Sequence, residues 1–273
     1  MVRSRRQGQS NPILMVGGFA TALFVLFVGL PLLALLLRAL GNDGFFASLT
    51  SDVALQALKL SAFTSAVSMA VILVLGTPFA YLLARRQTLP LHIVDTLVEL
   101  PIVLPPVVAG VAMLMAFGRN GIFGAALAHL GIALPFTTAA VILAQVFVSA
   151  PFYVRAAKLG FLGVDQEYEA ISQTLGISPW RTFWRLTLPL SWPSLLSGAA
   201  LAWARALSEF GATIMFAGNF TGRTQTMPLA ILSAMESNLA TALALAVMLM
   251  ALSVLLLIAI ALVSRAAPWE QRR

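Results

Sequence analysis

The sequence predicts an all-α integral membrane protein with six transmembrane helices, and three observations support this fold class. Of the 273 residues, 60% are hydrophobic and 10% are charged, and the mean hydropathy is +0.93. A soluble domain carries roughly 25% charged residues, so this composition excludes one. Uncharged runs recur that are long enough to cross a hydrocarbon core, which takes about 20 apolar residues. Finally, basic residues cluster in alternate loops, as the orientation rule for membrane helices requires.

Six apolar runs supply the predicted spans. They cover residues 13–37, 60–84, 100–117, about 130–154, 194–217 and 237–264. We expect the first run to be retained as a span, because it is far longer than a signal-peptide core and no small-residue cleavage site follows it. Pro101, Pro105 and Pro106 predict a break or kink in the third span. A bilayer tolerates such a break only where protein or a cavity satisfies the backbone.

The distribution of basic residues predicts how the bundle is oriented. Six spans place both termini on one side of the membrane. The cationic residues that fall on that side are Arg3, Arg5, Arg6, Arg85, Arg86, Arg155, Lys158, Arg181, Arg185, Arg265, Arg272 and Arg273. Those on the other side are Arg38, Lys59, Arg119 and Arg223. Both termini are therefore predicted to be cytoplasmic. The same clustering of basic residues accounts for the net charge of +7 and argues against nucleic-acid binding.

Residues 165–190, DQEYEAISQTLGISPWRTFWRLTLPL, form one long amphipathic interruption between the fourth and fifth spans. An acidic first turn favours a helix start, and Gly176 predicts a left-handed end to that helix. Ser178 and Pro179 predict a second helix, with Ser as N-cap and Pro at its first position. We refer to residues 165–187 below as the amphipathic segment.

The second predicted helix of this segment has an aromatic face. Trp180, Phe183 and Trp184 recur at i, i+3 and i+4, while Arg181 and Arg185 point elsewhere. Exposed aromatic residues at this spacing favour a docking site for another protein. They are equally typical of an interfacial elbow whose aromatic rings rest among lipid headgroups, and the residues alone leave both interpretations open.

The sequence contains no motif for binding ATP or a metal ion. Lys59 and Lys158 are each followed by leucine, so neither completes a phosphate-binding GxxxxGK[ST] loop, and any ATP must be bound by another polypeptide. His92 and His129 stand alone in separate loops, and the chain has no cysteine, so we predict no metal site and no cofactor.

Arg205 and Glu209 are the two ionisable residues inside the predicted fifth span. They lie one helical turn apart, so they can neutralise each other on the side that faces the bundle. An ionisable residue within a membrane indicates a functional site by default, and the alternative is a purely structural pair.

The amphipathic segment resembles the loop of ATP-binding-cassette (ABC) importer membrane subunits that carries a Glu-Ala-Ala motif, a glycine and a later Leu-Pro. Glu169-Ala170, Gly176 and Leu186–Pro189 carry the resemblance. The chain departs from the pattern because Glu169 lies one position further from the glycine and Ile171-Ser172 replace small residues. The resemblance implies a coupling helix that docks on a cytoplasmic ATPase subunit. The residues expected in that contact are Glu167, Glu169, Ala170, Gly176, Pro179, Trp180, Trp184, Leu188 and Pro189.

Three further stretches, residues 99–124, 204–219 and 222–231, resemble the membrane subunits of molybdate/tungstate importers, which are related to the sulfate/thiosulfate permeases. Ser208 stands where many members have glycine. The resemblance implies a type I importer fold, without catalytic activity, over residues 53–265, with a coupling loop at 159–190. Residues 1–52 would add a cytoplasmic segment and the first span, and residues 266–273 a basic tail. The expected translocation path or gate comprises Pro105, Pro106, Arg205, Glu209, Phe210 and Gly211.

The same resemblance implies a set of partners and a location. We expect a homodimer in the bacterial cytoplasmic membrane, with two ATPase subunits on the inner side and an oxyanion-binding protein on the outer side. Membrane lipid is a further partner, and nucleic acid is not one.

Two other classes of membrane protein fit the sequence less well. An ion-coupled secondary transporter would require several intramembrane carboxylates or broken helices in paired repeats, and Glu209 with one proline-rich break does not supply them. An intramembrane hydrolase would require a nucleophile and a base at matching depth, yet the chain has no cysteine, no GxSxG and no histidine in a span. A sulfate/thiosulfate permease remains the nearest alternative.

Overall fold

The computed structural model describes residues 12–86 and 88–265, and within them every regular element is a helix. The N-terminal arginines (3, 5 and 6) and the basic tail (266–273), both predicted to be cytoplasmic, lie outside the described residues. The helices are α1 (Pro12–Leu40), α2 (Phe45–Leu49), α3 (Asp52–Arg85), α4 (Leu89–Val103), α5 (Pro106–Phe117), α6 (Gly124–His129), α7 (Thr138–Leu162), α8 (Gln166–Thr174), α9 (Pro179–Thr182), a π-helical turn (Phe183–Thr187), α10 (Leu188–Leu207), α11 (Gly211–Ala217), α12 (Met227–Ser237) and α13 (Leu239–Arg265).

Four of the described helices are long and apolar enough to cross a membrane. They are the helices at Val16–Leu40, Asp52–Arg85, Thr138–Leu162 and Leu239–Val263. The third and fifth predicted spans are each divided between two helices, α4 with α5 and α10 with α11. The all-helical membrane fold is thus confirmed, but two of its spans are broken rather than one.

Helix α7 lies at the centre of the bundle, packed between α3 and α10. Small residues allow this close approach, because a Cβ added at Gly160 would come within 2.6 Å of the Ser194 side chain. A Cβ at Gly198 would come equally close to Ala156. Lipid offers no hydrophobic drive for helices to associate, so close packing of small residues replaces it.

A buried polar seam joins α3 to α7. Gln145 of α7 donates to Thr64 Oγ1 over 3.2 Å and accepts from Ser68 Oγ over 2.9 Å. Trp203 of α10 extends the seam by donating to Ser65 Oγ over 3.2 Å. Hydrogen bonds of this kind hold transmembrane helices in register because an unpaired polar group is costly in hydrocarbon.

The fourth predicted span is displaced by eight residues along the chain. It begins at Thr138 rather than about 130, because residues 130–137 form a turn in which Gly131 and Phe136 have positive φ angles of 71° and 62°. It ends at Leu162 rather than Val154, so Arg155 and Lys158 lie inside the helix and do not end it. The helix tolerates Lys158 there because its ammonium group pairs with Asp95 of α4.

The fifth predicted span is not one continuous helix. Helix α10 begins at Leu188, six residues early, and includes Pro189 in its first turn. It ends at Leu207, and a separate helix α11 follows from Gly211. The connection after it also folds further than predicted, because residues 227–237 form the helix α12. This helix packs on α13 and α3 through Met227, Ala230 and Ala234.

The predicted orientation can be tested with single cysteines in this cysteine-free chain. Gln173 in the amphipathic segment and Thr221 between α11 and α12 are both exposed, so Gln173→Cys and Thr221→Cys should both react with a thiol reagent. In intact cells a membrane-impermeant maleimide should label only the Thr221→Cys variant, and permeabilised cells should label both. Labelling of both variants in intact cells would contradict the six-span orientation.

Candidate functional site: the amphipathic segment and two broken helices

The amphipathic segment folds into two short helices, as its turn residues predict. The carboxylate of Asp165 accepts from the backbone N–H of Glu167 over 2.9 Å and caps α8. Gly176, at φ 76°, ends that helix. Its N–H bonds to the carbonyl of Gln173, and the next N–H, that of Ile177, bonds to the carbonyl of Ser172. These two hydrogen bonds satisfy the last carbonyls of the helix. Ser178 then takes the N-cap position of α9 without a side-chain hydrogen bond to its first turn, and Pro179 is the first helical residue.

The outer face of α8 carries a stripe of exposed apolar side chains. Tyr168, Ile171 and Leu175 are 55%, 56% and 74% exposed and recur at i, i+3 and i+7, so they lie on one side of the helix. They line a cleft of about 380 Å³ together with Arg181 and Arg185. Large apolar side chains kept in contact with water on a short helix favour a protein contact.

Glu169 faces inward from the same helix and ties it to α3. Its Oε1 accepts from Arg85 Nη2 over 2.6 Å and from Thr187 Oγ1 over 2.7 Å, and its Oε2 accepts from Tyr81 Oη over 3.3 Å. Burial raises the pKa of Glu169. The hydrogen bonds from Arg85 and Thr187 outweigh burial and hold that pKa below its ordinary value. Glu169 is therefore the anchored glutamate of the segment, whereas Glu167 is exposed.

Arg85 connects this carboxylate to the end of α7. Its guanidinium donates to the carbonyls of Phe161 and Val164 over 2.9 and 3.4 Å, and its planar group lies 5.4 Å from the ring centroid of Tyr81. The ring of Tyr81 packs edge-on against Phe161 and Phe183 at 5.4 and 5.0 Å. Elements α3, α7, α8 and the π-helical turn thus meet at one junction, which we call the Arg85–Glu169 junction.

The aromatic side chains of the second helix share a face, as predicted, and that face borders a groove, with Trp180 69% and Trp184 50% exposed. The rings of Trp180 and Trp184 are 5.6 Å apart, and those of Phe183 and Trp184 are 5.5 Å apart. They line an apolar groove of about 520 Å³ whose other walls are α3 and α10. The π-helical turn carries Phe183 and Trp184, and an extra residue per turn of this kind is frequent at functional sites.

The other predicted docking residues are spread along the segment. Ala170, Gly176 and Pro179 are exposed, while Leu188 and Pro189 are half-buried at the start of α10. The sequence interpretation missed the exposed stripe on α8, although its i, i+3, i+7 spacing was readable. It also missed Tyr81, Arg85 and Thr187, for which no local pattern exists.

The breaks in the third and fifth spans lie side by side. Helix α4 gives way to α5 at Leu104 and Pro105, and α10 gives way to α11 across residues 208–210. A Cβ on Gly211 would lie 2.7 Å from the Pro106 Cβ, so the starts of α5 and α11 are in contact. The two helices continue together, because a Cβ on Gly110 would lie 2.6 Å from the Met215 Cβ.

Glu209 lies in the second break rather than on a helix, yet it pairs with Arg205 as predicted. Its Oε2 is 2.7 Å from Arg205 Nη2, and its Oε1 accepts from the Ala212 N–H over 2.7 Å. The carboxylate is buried, and within the described residues the ion pair is the only partner of Oε2. Glu209 therefore caps the start of α11 while Arg205 neutralises its charge.

The remaining predicted path residues surround this break. Phe210 is half-buried in the connection itself, and Pro105 and Pro106 are exposed at the start of α5. The structure shows direct contact for Pro106 with Gly211 and for Arg205 with Glu209. Within residues 12–86 and 88–265 no three side chains of histidine, cysteine, aspartate or glutamate lie close enough to hold a metal ion.

Removing the charge of Glu169 should loosen the amphipathic segment. Because the folded pKa is lowered, the charged carboxylate contributes stability at neutral pH, and that stability is lost as the pH falls through the folded pKa. Glu169→Gln should therefore increase amide hydrogen exchange across residues 165–187 at neutral pH, and the wild-type chain should show the same increase only in acid. The matched control, Glu167→Gln, changes an exposed carboxylate on the same helix and should exchange like the wild type. Equal exchange in all three chains would remove the anchoring role.

The Arg205–Glu209 pair should behave as one unit in a double-mutant cycle. Breaking a buried pair costs about 3 kcal/mol or more, because the remaining charge is left unpaired in a low dielectric. Arg205→Ala and Glu209→Gln should each reduce the yield of folded protein in membranes. The double variant should recover much of that yield, since glutamine can still accept from the Ala212 N–H. A double variant no better folded than the worse single variant would contradict pairing.

Known families and proteins match this chain over most of its length. The family model described as "Binding-protein-dependent transport system inner membrane component" matches residues 72–267. The molybdenum transport system permease protein ModB of Mycobacterium tuberculosis is 44% identical over 207 residues, covering 76% of this chain and 78% of that protein. The sulfate transport system permease protein CysW of Synechococcus elongatus is 35% identical over 202 residues, covering 74% and 70%.

Solved structures share the fold at lower identity. A bacterial alginate ABC transporter in complex with an alginate pentasaccharide-bound periplasmic protein superposes with a TM-score of 0.76 at 16% identity, covering 93% of this chain and 94% of that chain. An inward-facing MetNI methionine ABC transporter superposes with a TM-score of 0.61 at 20% identity, covering 79% and 96%. The fold is that of an ABC importer transmembrane domain, and the chain belongs to the family of inner membrane components of binding-protein-dependent transport systems.

Proposed function

We propose that this chain is the permease subunit of an ATP-driven importer that moves molybdate or tungstate into the bacterial cytoplasm. The observation that carries the proposal is its similarity to the molybdenum permease of Mycobacterium tuberculosis over three quarters of both chains. The weaker similarity to a sulfate permease keeps sulfate as the second candidate substrate. All three are tetrahedral dianions, so a shared path would need few changes to accept another of them.

The subunit hydrolyses no ATP itself and takes its energy from two cytoplasmic ATPase subunits. The amphipathic segment is the docking element of the proposal, since it exposes the stripe of Tyr168, Ile171 and Leu175 beyond the membrane helices. Arg181 and Arg185 flank that stripe and add charge that steers association. An apolar centre with a charged rim is the usual anatomy of a specific interface.

Movement of the docked segment passes to the membrane helices through the Arg85–Glu169 junction. The carboxylate of Glu169 holds α8 to the last residue of α3 and to the π-helical turn that precedes α10. Arg85 also holds the end of α7. A displacement of α8 therefore shifts α3, α7 and α10 together, because packed interfaces move between discrete arrangements rather than deforming gradually.

The oxyanion passes along the paired breaks, which lie at the two-fold axis of a homodimer. An external binding protein delivers the oxyanion to this path. Broken helices near the middle of the membrane present backbone dipoles to a substrate, and their N-terminal ends favour anions. The N-terminus of α5 is exposed, whereas Glu209 already occupies that of α11. Arg205, a quarter exposed, holds Glu209 in place and positions the break.

Uptake by vesicles containing this chain, its ATPase and its binding protein tests the substrate. Labelled molybdate should enter only with ATP, and excess tungstate should compete while excess sulfate should not. An Ile171→Asp variant should lose both uptake and the co-purified ATPase, because it places a charge in the apolar stripe. Gln173→Asp, which adds the same charge on the opposite side of α8, should retain both. Competition by sulfate equal to that by tungstate would reassign the chain to sulfate.

A further inference from the structure

The groove beside Trp180 and Trp184 extends far along a membrane helix. Its lining includes Leu73, Val74 and Pro78 of α3, and Trp192 and Leu196 of α10. On α10 the lining runs from Leu188 to Ala199, eleven residues later. At a rise of about 1.5 Å per residue that separation is about 16 Å along the helix axis, compared with about 15 Å for half of a hydrocarbon core. The groove therefore spans the depth of one leaflet.

The walls of the groove are continuous with the outer surface of the bundle. Val74 is 71% exposed, and its neighbour Leu75 also points away from the core. Three tryptophans, at positions 180, 184 and 192, line the same groove. Tryptophan concentrates at the depth where lipid headgroups meet the hydrocarbon, because its ring is apolar and its N–H is polar.

The second helix of the amphipathic segment is therefore two-sided. Trp180 and Trp184 line the groove against α3 and α10, whereas Arg181 and Arg185 line the cleft with Tyr168 on the other side. A helix with tryptophan on one face and arginine on the other lies in the plane of a membrane surface, with its apolar face in the acyl region. A water-soluble protein can reach the arginine side without entering the leaflet.

We propose that the groove holds the acyl chain of a phospholipid from the leaflet next to the amphipathic segment, so that lipid covers Trp180 and Trp184 while the ATPase docks on the stripe of Tyr168, Ile171 and Leu175. The lipid side follows from the position of the groove along α3, and the ATPase side rests on the proposed function. The bound chain fills space between the segment and α3 and supports the segment from the membrane side.

Contact quenching by lipid tests the proposal directly. A chain that retains Trp184 as its only tryptophan, with phenylalanine at the other four positions, is reconstituted with phospholipids brominated along one acyl chain. Bromine quenches tryptophan only on contact, so most of the Trp184 emission should be lost. The matched control is Tyr168→Trp in the same background without Trp184, and it should keep its emission in brominated lipid. Added ATPase should shield the Tyr168→Trp variant from acrylamide and leave the lipid quenching of Trp184 unchanged.

Each alternative occupant gives a different result. Loss of Trp184 quenching when the ATPase binds would mean that the ATPase covers the groove, which overturns the lipid assignment and preserves the proposed function. Lack of quenching in the dimer without ATPase would assign the groove to the second copy of the chain and overturn the lipid assignment as well. Failure of the ATPase to shield the Tyr168→Trp variant, with quenching of Trp184 intact, would contradict the docking face and leave the lipid site standing.

A second measurement does not depend on replacing the tryptophans. A spin label on Val74→Cys should be accessible to oxygen, which dissolves in the acyl region, and inaccessible to a water-soluble nickel chelate. The matched site is Gln173→Cys, which should show the reverse pattern. Equal access of the chelate to both labels would show a water-filled groove and overturn the proposal.

Discussion

The ion pair between Arg85 and Glu169 is the interaction on which the arrangement of the bundle end that carries the amphipathic segment depends. Short helices such as α8 and α9 are marginal alone, and α8 buries none of its own residues. The charge-assisted hydrogen bond between Glu169 and Arg85, at the end of α3, supplies the stability that the apolar contacts of α8 do not. Because Arg85 also donates to the carbonyl of Phe161 in the last turn of α7, the pair joins the ends of two membrane helices as well as orienting the segment.

The two broken spans obey a different constraint, because backbone N–H and C=O groups within a membrane must find hydrogen-bond partners inside the protein. At the second break the Glu209 carboxylate accepts from the start of α11, and Arg205 balances its charge. The breaks are also packed against each other through Pro106 and Gly211, where only a glycine leaves room. Mutual packing and internal capping are the conditions under which irregular backbone is tolerated at membrane depth.

The amphipathic segment shows how one short stretch can serve two surroundings. Its apolar stripe on α8 is exposed where no membrane helix covers it, and its tryptophans lie along α3 and α10. The pattern of Trp180, Phe183 and Trp184 predicted one aromatic face but left two environments open for it, protein or lipid. Periodicity defines the face and not its neighbour, and the lipid occupant proposed above rests on the groove that this face forms with α3 and α10.

Features that depend on local chemistry are readable from the amino-acid sequence. Apolar runs located the four long membrane helices to within about eight residues. Gly176 and Pro179 located the turn between two short helices, and the spacing of Arg205 and Glu209 identified a pair that the structure contains. Tertiary structure decided the rest. Arg85 and Glu169 are 84 residues apart, the second break depends on Pro106 meeting Gly211, and α7 extends past Arg155 because Asp95 of another helix receives Lys158. Hydropathy and periodicity report on neighbours along the chain, whereas each of these features is set by a partner that only folding brings near.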